Sequence, residues 1–381
     1  MTGLLILTLL AISLACAFYG TNLLTWTIAM AAGIVVFGVT GAVPIISWMI
    51  IGFVFAAIAI PLNVLPWRQQ LISAPFLKQF RRMLPEISET EQVALDAGTV
   101  GWEGELFAGN PDWKILKKQP YLELTLEEQQ FLDGPVEELC KMLDTWEITH
   151  VDTDLNPETW AFIKKIKFFG MIIPKEYGGL GFSALANRAV LQKLSSICPL
   201  TSSTIGVPNS LGPAELILNY GTDEQKNHYL PRLARGEEVP CFALTGPTAG
   251  SDATSIPDYG IVCKQKYKGK ETLGLRLNFD KRYITLAPIA TLIGIAFNMY
   301  DPDGLLGDKK ELGITLALVP RDTEGLEAGM RHMPLNLPVQ TGPVRGNDVF
   351  VPMETLIGGA EMAGQGWRML IECLSVGRSI T

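Results

Sequence analysis

The residues best suited to chemistry lie in one loop, Ala243-Leu-Thr-Gly-Pro-Thr-Ala-Gly-Ser-Asp-Ala-Thr-Ser255. Small side chains after a strand let backbone N–H groups and hydroxyls approach a flat or phosphorylated ligand closely. A plain surface turn has the same composition, so the loop alone leaves both readings open. Spacing finds no metalloprotease helix, P-loop, nucleophile elbow or Rossmann glycine pattern. The six cysteines (16, 140, 198, 241, 263, 373) show no C-x-x-C spacing, and the three histidines (150, 228, 332) are far apart. No metal site is expected, and the thiols read as free and mostly buried.

Two kinds of element must position that loop. Thr125-Leu-Glu-Glu-Gln reads as an N-cap with a capping-box Glu128, opening a helix that runs to Trp146. Asn156-Pro157-Glu158 opens a second, to about Phe169. Helical patterns return over 184–194 and 213–220, and again from Thr222 to about Arg235-Gly236. After Val239 the pattern changes to short apolar runs at 241–245, 260–264, 273–278, 282–286, 291–299 and 314–320, which predict strands of a compact β domain. From Gly364 it turns helical again, and an apolar face over Trp367–Gly377 is left without a partner.

Charge is distributed unevenly. The first basic residue is Arg68, the first acidic one Glu86, and everything before Arg68 is uncharged. Apolar runs over 4–17, 23–43 and 45–65 approach the roughly 20 residues a bilayer-spanning helix needs. A secretory signal would need a basic n-region, which is missing. Trp26, Trp48 and Trp67 fall near the ends of the runs, and the basic cluster Arg68, Lys78, Arg81 and Arg82 predicts that the following flank stays cytoplasmic. Two spans or three fit equally. Residues 68–124 read as a surface connector. The net charge of −8 and pI near 5.1 argue against a nucleic-acid partner.

Five phrases follow one another in an order that is specific: Ile173-Pro-Lys-Glu-Tyr-Gly-Gly-Leu-Gly181; Tyr220-Gly-Thr-Asp-Glu-Gln-Lys226 with Leu230-Pro-Arg-Leu-Ala-Arg-Gly-Glu237; the 243–252 loop; Tyr283-Ile-Thr285; and Met362-Ala-Gly-Gln-Gly-Trp367. In this order they resemble acyl-CoA dehydrogenases. The apolar leader, Leu132-Asp-Gly-Pro-Val-Glu-Glu138 and Gly206-Val-Pro-Asn-Ser-Leu-Gly-Pro213 look like the large membrane-associated bacterial members that act in fatty acid β-oxidation.

The resemblance implies FAD as cofactor, with Phe242, Leu244 and Thr245 along the flavin pyrimidine edge, and Gly250 in the same cofactor loop. Ser251 would reach the pyrophosphate and the acyl-CoA. Tyr283 would lie beside the isoalloxazine, Ile284 would follow it, and Thr285 would hydrogen-bond flavin N5, where a donor stabilises the reduced ring. Arg378 matches a substrate-side arginine. Two positions depart from the pattern. Gly246 stands where Glu usually follows the loop threonine, and Gly377 stands at one of the two positions that carry the catalytic glutamate. The other position is expected beyond Thr381.

The implied fold combines α and β domains: transmembrane helices (1–67), a connector (68–124), an N-terminal α-helical domain (125–239), a β-barrel-like middle domain (240–360) and the start of a truncated C-terminal helical bundle (361–381). The implied reaction is FAD-dependent α,β-dehydrogenation of fatty acyl-CoA to trans-2-enoyl-CoA, with electron-transfer flavoprotein as acceptor and homo-oligomerisation open. The chain itself would lack the base and be inactive alone. A non-catalytic membrane-bound flavin- or acyl-CoA-binding protein, or half of a split enzyme, is the rival reading. The expected location is the bacterial inner membrane, with the soluble part on the cytoplasmic side.

Overall fold

A computed structural model describes residues 2–41, 44–83, 87, 89–97, 101–107, 109, 111–210 and 212–380. The chain forms two compact units, Met1–Ile87 and Ser88–Thr381. The boundary at Ile87 divides the expected 68–124 connector between them.

In the first unit, α1 (Thr2–Phe18), α2 (Leu23–Val39) and α3 (Ile45–Asn63) pack in sequence order. Asn22 caps α2, its side chain accepting from Thr25 N at 2.9 Å. Polar groups between the helices pair with one another: Trp48 Nε1 donates to Ile34 O at 2.9 Å, and Asn63 Nδ2 to Thr27 Oγ1 at 2.8 Å. A Cβ on Gly38 would meet the Trp48 ring at 2.2 Å, so that crossing needs glycine. Ile45–Asn63 is long and apolar enough to cross a membrane, with mean hydropathy 2.5, while the other two helices are shorter. The connector is more helical than its composition predicts: a five-residue π turn, Gln69–Ser73, leads into α4 (Ala74–Met83), and α5 (Glu89–Ala97) follows in the second unit. Apolar and basic residues on opposite faces support α4, a pattern hidden by the scattered prolines.

In the second unit the expected helix from Thr125 breaks into α6 (Leu126–Asp133) and α7 (Pro135–Lys141), because Pro135 has no N–H to continue the first. Asn156 caps α8 (Pro157–Lys165) as expected, but Lys167 at φ 65° ends it before Phe169. Then come α9 (Ala184–Ile197), α10 (Pro199–Gly206), α11 (Pro213–Tyr220) and α12 (Asp223–Ala234). The expected capping box at Thr125 forms, as does a second at Thr222 with Gln225, and each reaches further than a cap. Glu128 accepts from Thr125 N at 2.8 Å and from Ser183 N at 2.7 Å, joining α6 to the start of α9. Burial pushes its carboxyl up, but those two N–H donors outweigh it and hold the group below the usual carboxylate range. Gln225 donates to Leu356 O at 2.7 Å and accepts from Gly358 N at 3.0 Å, tying α12 to the chain beyond the sheet.

The strands are β1 (Pro240–Ala243), β2 (Tyr259–Tyr267), β3 (Lys270–Thr285), β4 (Leu292–Tyr300), β5 (Glu311–Pro320), β6 (Leu326–Ala328) and β7 (Thr341–Pro352). They form one seven-stranded sheet, β1-β4-β2-β3-β7-β6, with β5 on β4. Two expected strands are one, β3. β6 and β7 go unannounced in the sequence, β6 because it is only three residues long and β7 because Gly, Pro and Asp punctuate it. No strand pairing joins β5 to β6 among the described residues, so the expected barrel is an open sheet. The outer side of β5 is taken by the chain after β7, through an Ala317–Leu356 bridge and Ile357 N donating to Leu316 O at 3.0 Å.

The last helix, α13 (Gly366–Ile380), corrects another expectation. Its apolar face is covered: Met369, Leu370 and Cys373 are buried in a core with Ile217, Leu230 and Leu316. Helices α5, α9 and α11 and strand β5 all contact it.

Candidate functional site

The 243–255 loop leaves the sheet at the end of β1, which runs parallel to β4 with Phe242 opposite Gly294. Gly294 leaves room for the Phe242 ring: a Cβ there would meet that ring at 2.6 Å. Phe242 is therefore buried by its side chain and offers a ligand only its backbone. The same holds for Ile284, whose side chain is in the core.

A buried ion pair locks the loop to β3. Lys281 Nζ lies 2.6 Å from Asp258 Oδ2 and donates to Leu244 O at 2.9 Å, while Asp280 N donates to Asp258 Oδ1 at 2.8 Å. One residue on, Arg282 N donates to Thr245 O at 2.9 Å. Burial lowers the Lys281 ammonium from its ordinary value, and Asp258 pushes it back only in part. Gly246 follows where a larger residue was expected. Its N–H donates to Ala249 O at 3.0 Å, and a Cβ would lie 3.2 Å from Asp280 O, so the loop lies close against β3.

At the end of β3 the pairing with β7 slips between Lys281 and Ile284, and Tyr283 adopts φ 56°. A bulge re-aims side chains, and here it leaves the Tyr283 ring outside the sheet core, 5.4 Å from His332 and under the Arg282 guanidinium. The register resumes with Thr285 opposite Thr341. Thr285 lines a cavity of about 560 Å³ whose other walls are α9 (Arg188, Leu191, Gln192, Ser195) and the stretch from Pro199 to Ser210. The wall hydroxyls are internally used: Ser195 donates to Ser202 at 2.7 Å and Ser203 to Leu200 O at 2.9 Å. Thr285 Oγ1 has no hydrogen-bond partner among the described residues, so this hydroxyl is free for a ligand atom.

Leu244 and Thr245 are thus joined to β3 by the Lys281 ammonium and by one backbone hydrogen bond from Arg282, next to the bulge at Tyr283, and Thr285 lies two residues further along the same strand. Gly250 and Ser251 are exposed on the outer loop, away from the cavity wall. Arg378 belongs to α13, and its side chain lies outside the described residues; Gly377 is buried. Sequence reasoning missed α10, although Pro199 after Cys198 was a start signal. It also missed Asn209, fully buried, which donates to Phe168 O at 2.6 Å and Ile205 O at 2.9 Å and fixes the chain beyond α10. Lys281 carried no such signal, because it falls between the expected runs 273–278 and 282–286 that the structure joins into β3.

Residues 127–237 match the family described as acyl-CoA dehydrogenase, N-terminal domain. Protein HemX of Proteus mirabilis is 62% identical over 86 residues, 23% of this chain and 51% of that protein. The mitochondrial very long-chain specific acyl-CoA dehydrogenase of Mus musculus is 30% identical over 267 residues, 68% of this chain and 39% of that enzyme. The chain therefore spans about half or less of the length of these curated relatives. An acyl-CoA dehydrogenase from Bacillus anthracis, solved complexed with FAD, superposes with a TM-score of 0.53 at 22% identity, covering 67% of this chain and 42% of that one. At that identity the match speaks for the fold: helices and sheet are arranged as in acyl-CoA dehydrogenases.

Proposed function

From this likeness to acyl-CoA dehydrogenases, in sequence over residues 127–237 and in fold, we propose that the chain holds FAD and a fatty acyl-CoA at the Thr285 cavity and the 244–255 loop. The reaction it serves is α,β-dehydrogenation of the thioester to trans-2-enoyl-CoA, as in fatty acid β-oxidation. Bound FAD would supply the hydride acceptor. The chain's residues bind and orient: Thr285 offers a hydroxyl donor, Lys281 and Asp258 hold the Leu244 carbonyl in place, and Ser251 presents a hydroxyl to an anionic group. The α9 and α10 walls keep water from the reacting atoms. Electrons would leave to electron-transfer flavoprotein, and a homo-oligomer is compatible with this arrangement. Helices α1–α3 would anchor the protein in the bacterial inner membrane, with the second unit on the cytoplasmic side.

The observation that carries this reading is the Thr285 hydroxyl, unpaired among the described residues, on a residue that lines the cavity and ends the strand to which the loop is locked. Its test is titration of the purified chain with FAD. Saturable quenching of flavin fluorescence supports it; a flavin spectrum indistinguishable from free FAD at every protein concentration overturns it.

A second reading is favoured by the cavity wall, in which none of the residues is a carboxylate. Removal of the α-proton needs a base within hydrogen-bond reach, worth about 10²- to 10⁴-fold in rate. On this reading residues 1–381 bind flavin and acyl-CoA without turning over. Dye reduction by palmitoyl-CoA with added FAD decides between them: background rates support a binding role, and steady turnover places a base among these residues.

A further inference from the structure

The stretch that joins the apolar helices to Ile87 has two chemically opposed sides. In α4, Phe76, Leu77, Phe80 and Met83 fall within roughly a third of the circumference at 3.6 residues per turn, and Lys78, Arg81 and Arg82 take the opposite side. Nothing among the described residues covers the apolar side: Phe76 is 65% exposed and Phe80 60%. Leu71 and Trp67, five and nine residues before Phe76, are exposed as well. The charge is equally one-sided, since residues 1–85 contain Arg68, Lys78, Arg81 and Arg82 and no Asp or Glu.

We propose that residues 65–83 lie along the bilayer surface and bind anionic phospholipid headgroups, with the aromatic side of α4 below the headgroups and Lys78, Arg81 and Arg82 among the phosphates. The inference rests on reading α1–α3 as membrane-embedded. Two observations favour a lipid surface as occupant. The amphipathic stretch begins within two residues of the end of α3, the most apolar helix, so its apolar side starts where a membrane span would end. Its four cations face no acidic residue of their own segment, which is the pattern that anionic headgroups attract.

The test uses the full chain reconstituted in phosphatidylcholine vesicles with and without about 30% phosphatidylglycerol. Flotation reports the anchor. Limited trypsinolysis followed by mass spectrometry then compares cleavage after Lys78, Arg81 and Arg82 with cleavage after the exposed Lys117 and Lys118 of the same molecules. Phosphatidylglycerol is expected to slow the first relative to the second by about fivefold or more, and about 0.5 M salt to undo the effect. Phe76→Ser with Phe80→Ser, both at exposed positions, is expected to abolish the protection while the chain still floats. A chain that floats with an unchanged cleavage ratio overturns the surface helix and leaves the anchor standing. A chain that fails to float overturns both. Protection seen in native membranes but absent from phosphatidylglycerol vesicles replaces the lipid with an acidic protein partner.

Discussion

Lys281 Nζ sits 2.6 Å from Asp258 Oδ2 with neither side chain more than 2% exposed, and the same ammonium holds the carbonyl of Leu244 at the start of the candidate binding loop. A buried charge pair adds little net stability over apolar residues of the same shape, but breaking it from one side strands a charge.

Lys281→Met is therefore expected to lower unfolding free energy by about 3–5 kcal/mol, since Asp258 keeps its charge without its partner. Lys281→Met combined with Asp258→Leu should recover much of that loss. Urea unfolding of the three proteins checks it. A single variant within about 0.5 kcal/mol of the parent would show that the pair is not closed in solution.

Thr285→Val keeps the volume of the side chain and removes the free hydroxyl. One hydrogen bond is worth about 0.5–1.5 kcal/mol, so FAD affinity is expected to fall roughly 2- to 12-fold. Fluorescence titration measures it. Thr272, half-buried near the other end of the same strand with its hydroxyl donating to Lys270 O, serves as control: Thr272→Val should leave the affinity unchanged.

Glu128 gives the protein an acid-sensitive joint. Its folded-state carboxyl is held below the ordinary value, so its stabilising contribution is complete above the unfolded value and is lost as pH falls through the folded one. Chemical denaturation between neutral pH and about pH 3 should show the parent losing stability faster than Glu128→Gln on the acid side of the unfolded carboxylate value of about 4.3. Parallel curves for the two proteins would remove Glu128 from the account.

Gly38 and Trp48 test the first unit. Gly38→Leu would drive a side chain into the indole and is expected to cost several kcal/mol of α2–α3 packing, read as faster proteolysis within residues 1–63. The parent chain should stay in the membrane pellet after alkaline carbonate; release by carbonate would reduce α1–α3 to a peripheral contact.

Much of this protein is written in local sequence. The caps at Thr125, Asn156 and Thr222 were legible because a cap needs only its own helix's first turn, and the charge-free leader because composition needs no geometry. The β3 ending at Thr285 was legible through a family phrase, whereas the bulge that re-aims Tyr283 depends on pairing with β7, some 60 residues downstream. Strand β6 was invisible because three residues are too few to show a period, and β7 because Gly, Pro and Asp weaken the alternation by which a strand is read.

The sequence by itself determined helix starts, the switch from helix to strand after Val239, the apolar leader and the identity of the small-residue loop, all of which depend on neighbours within a few positions. Only the tertiary structure decided that Glu128 serves two helices, that Lys281 reaches across to Asp258 and Leu244, and that Thr285 keeps its hydroxyl for a cavity walled by α9 and α10. It also decided that the face of α13 is covered from within the chain. Each of those facts joins residues far apart in sequence, where burial removes water as the alternative partner and the fold alone selects which groups must meet.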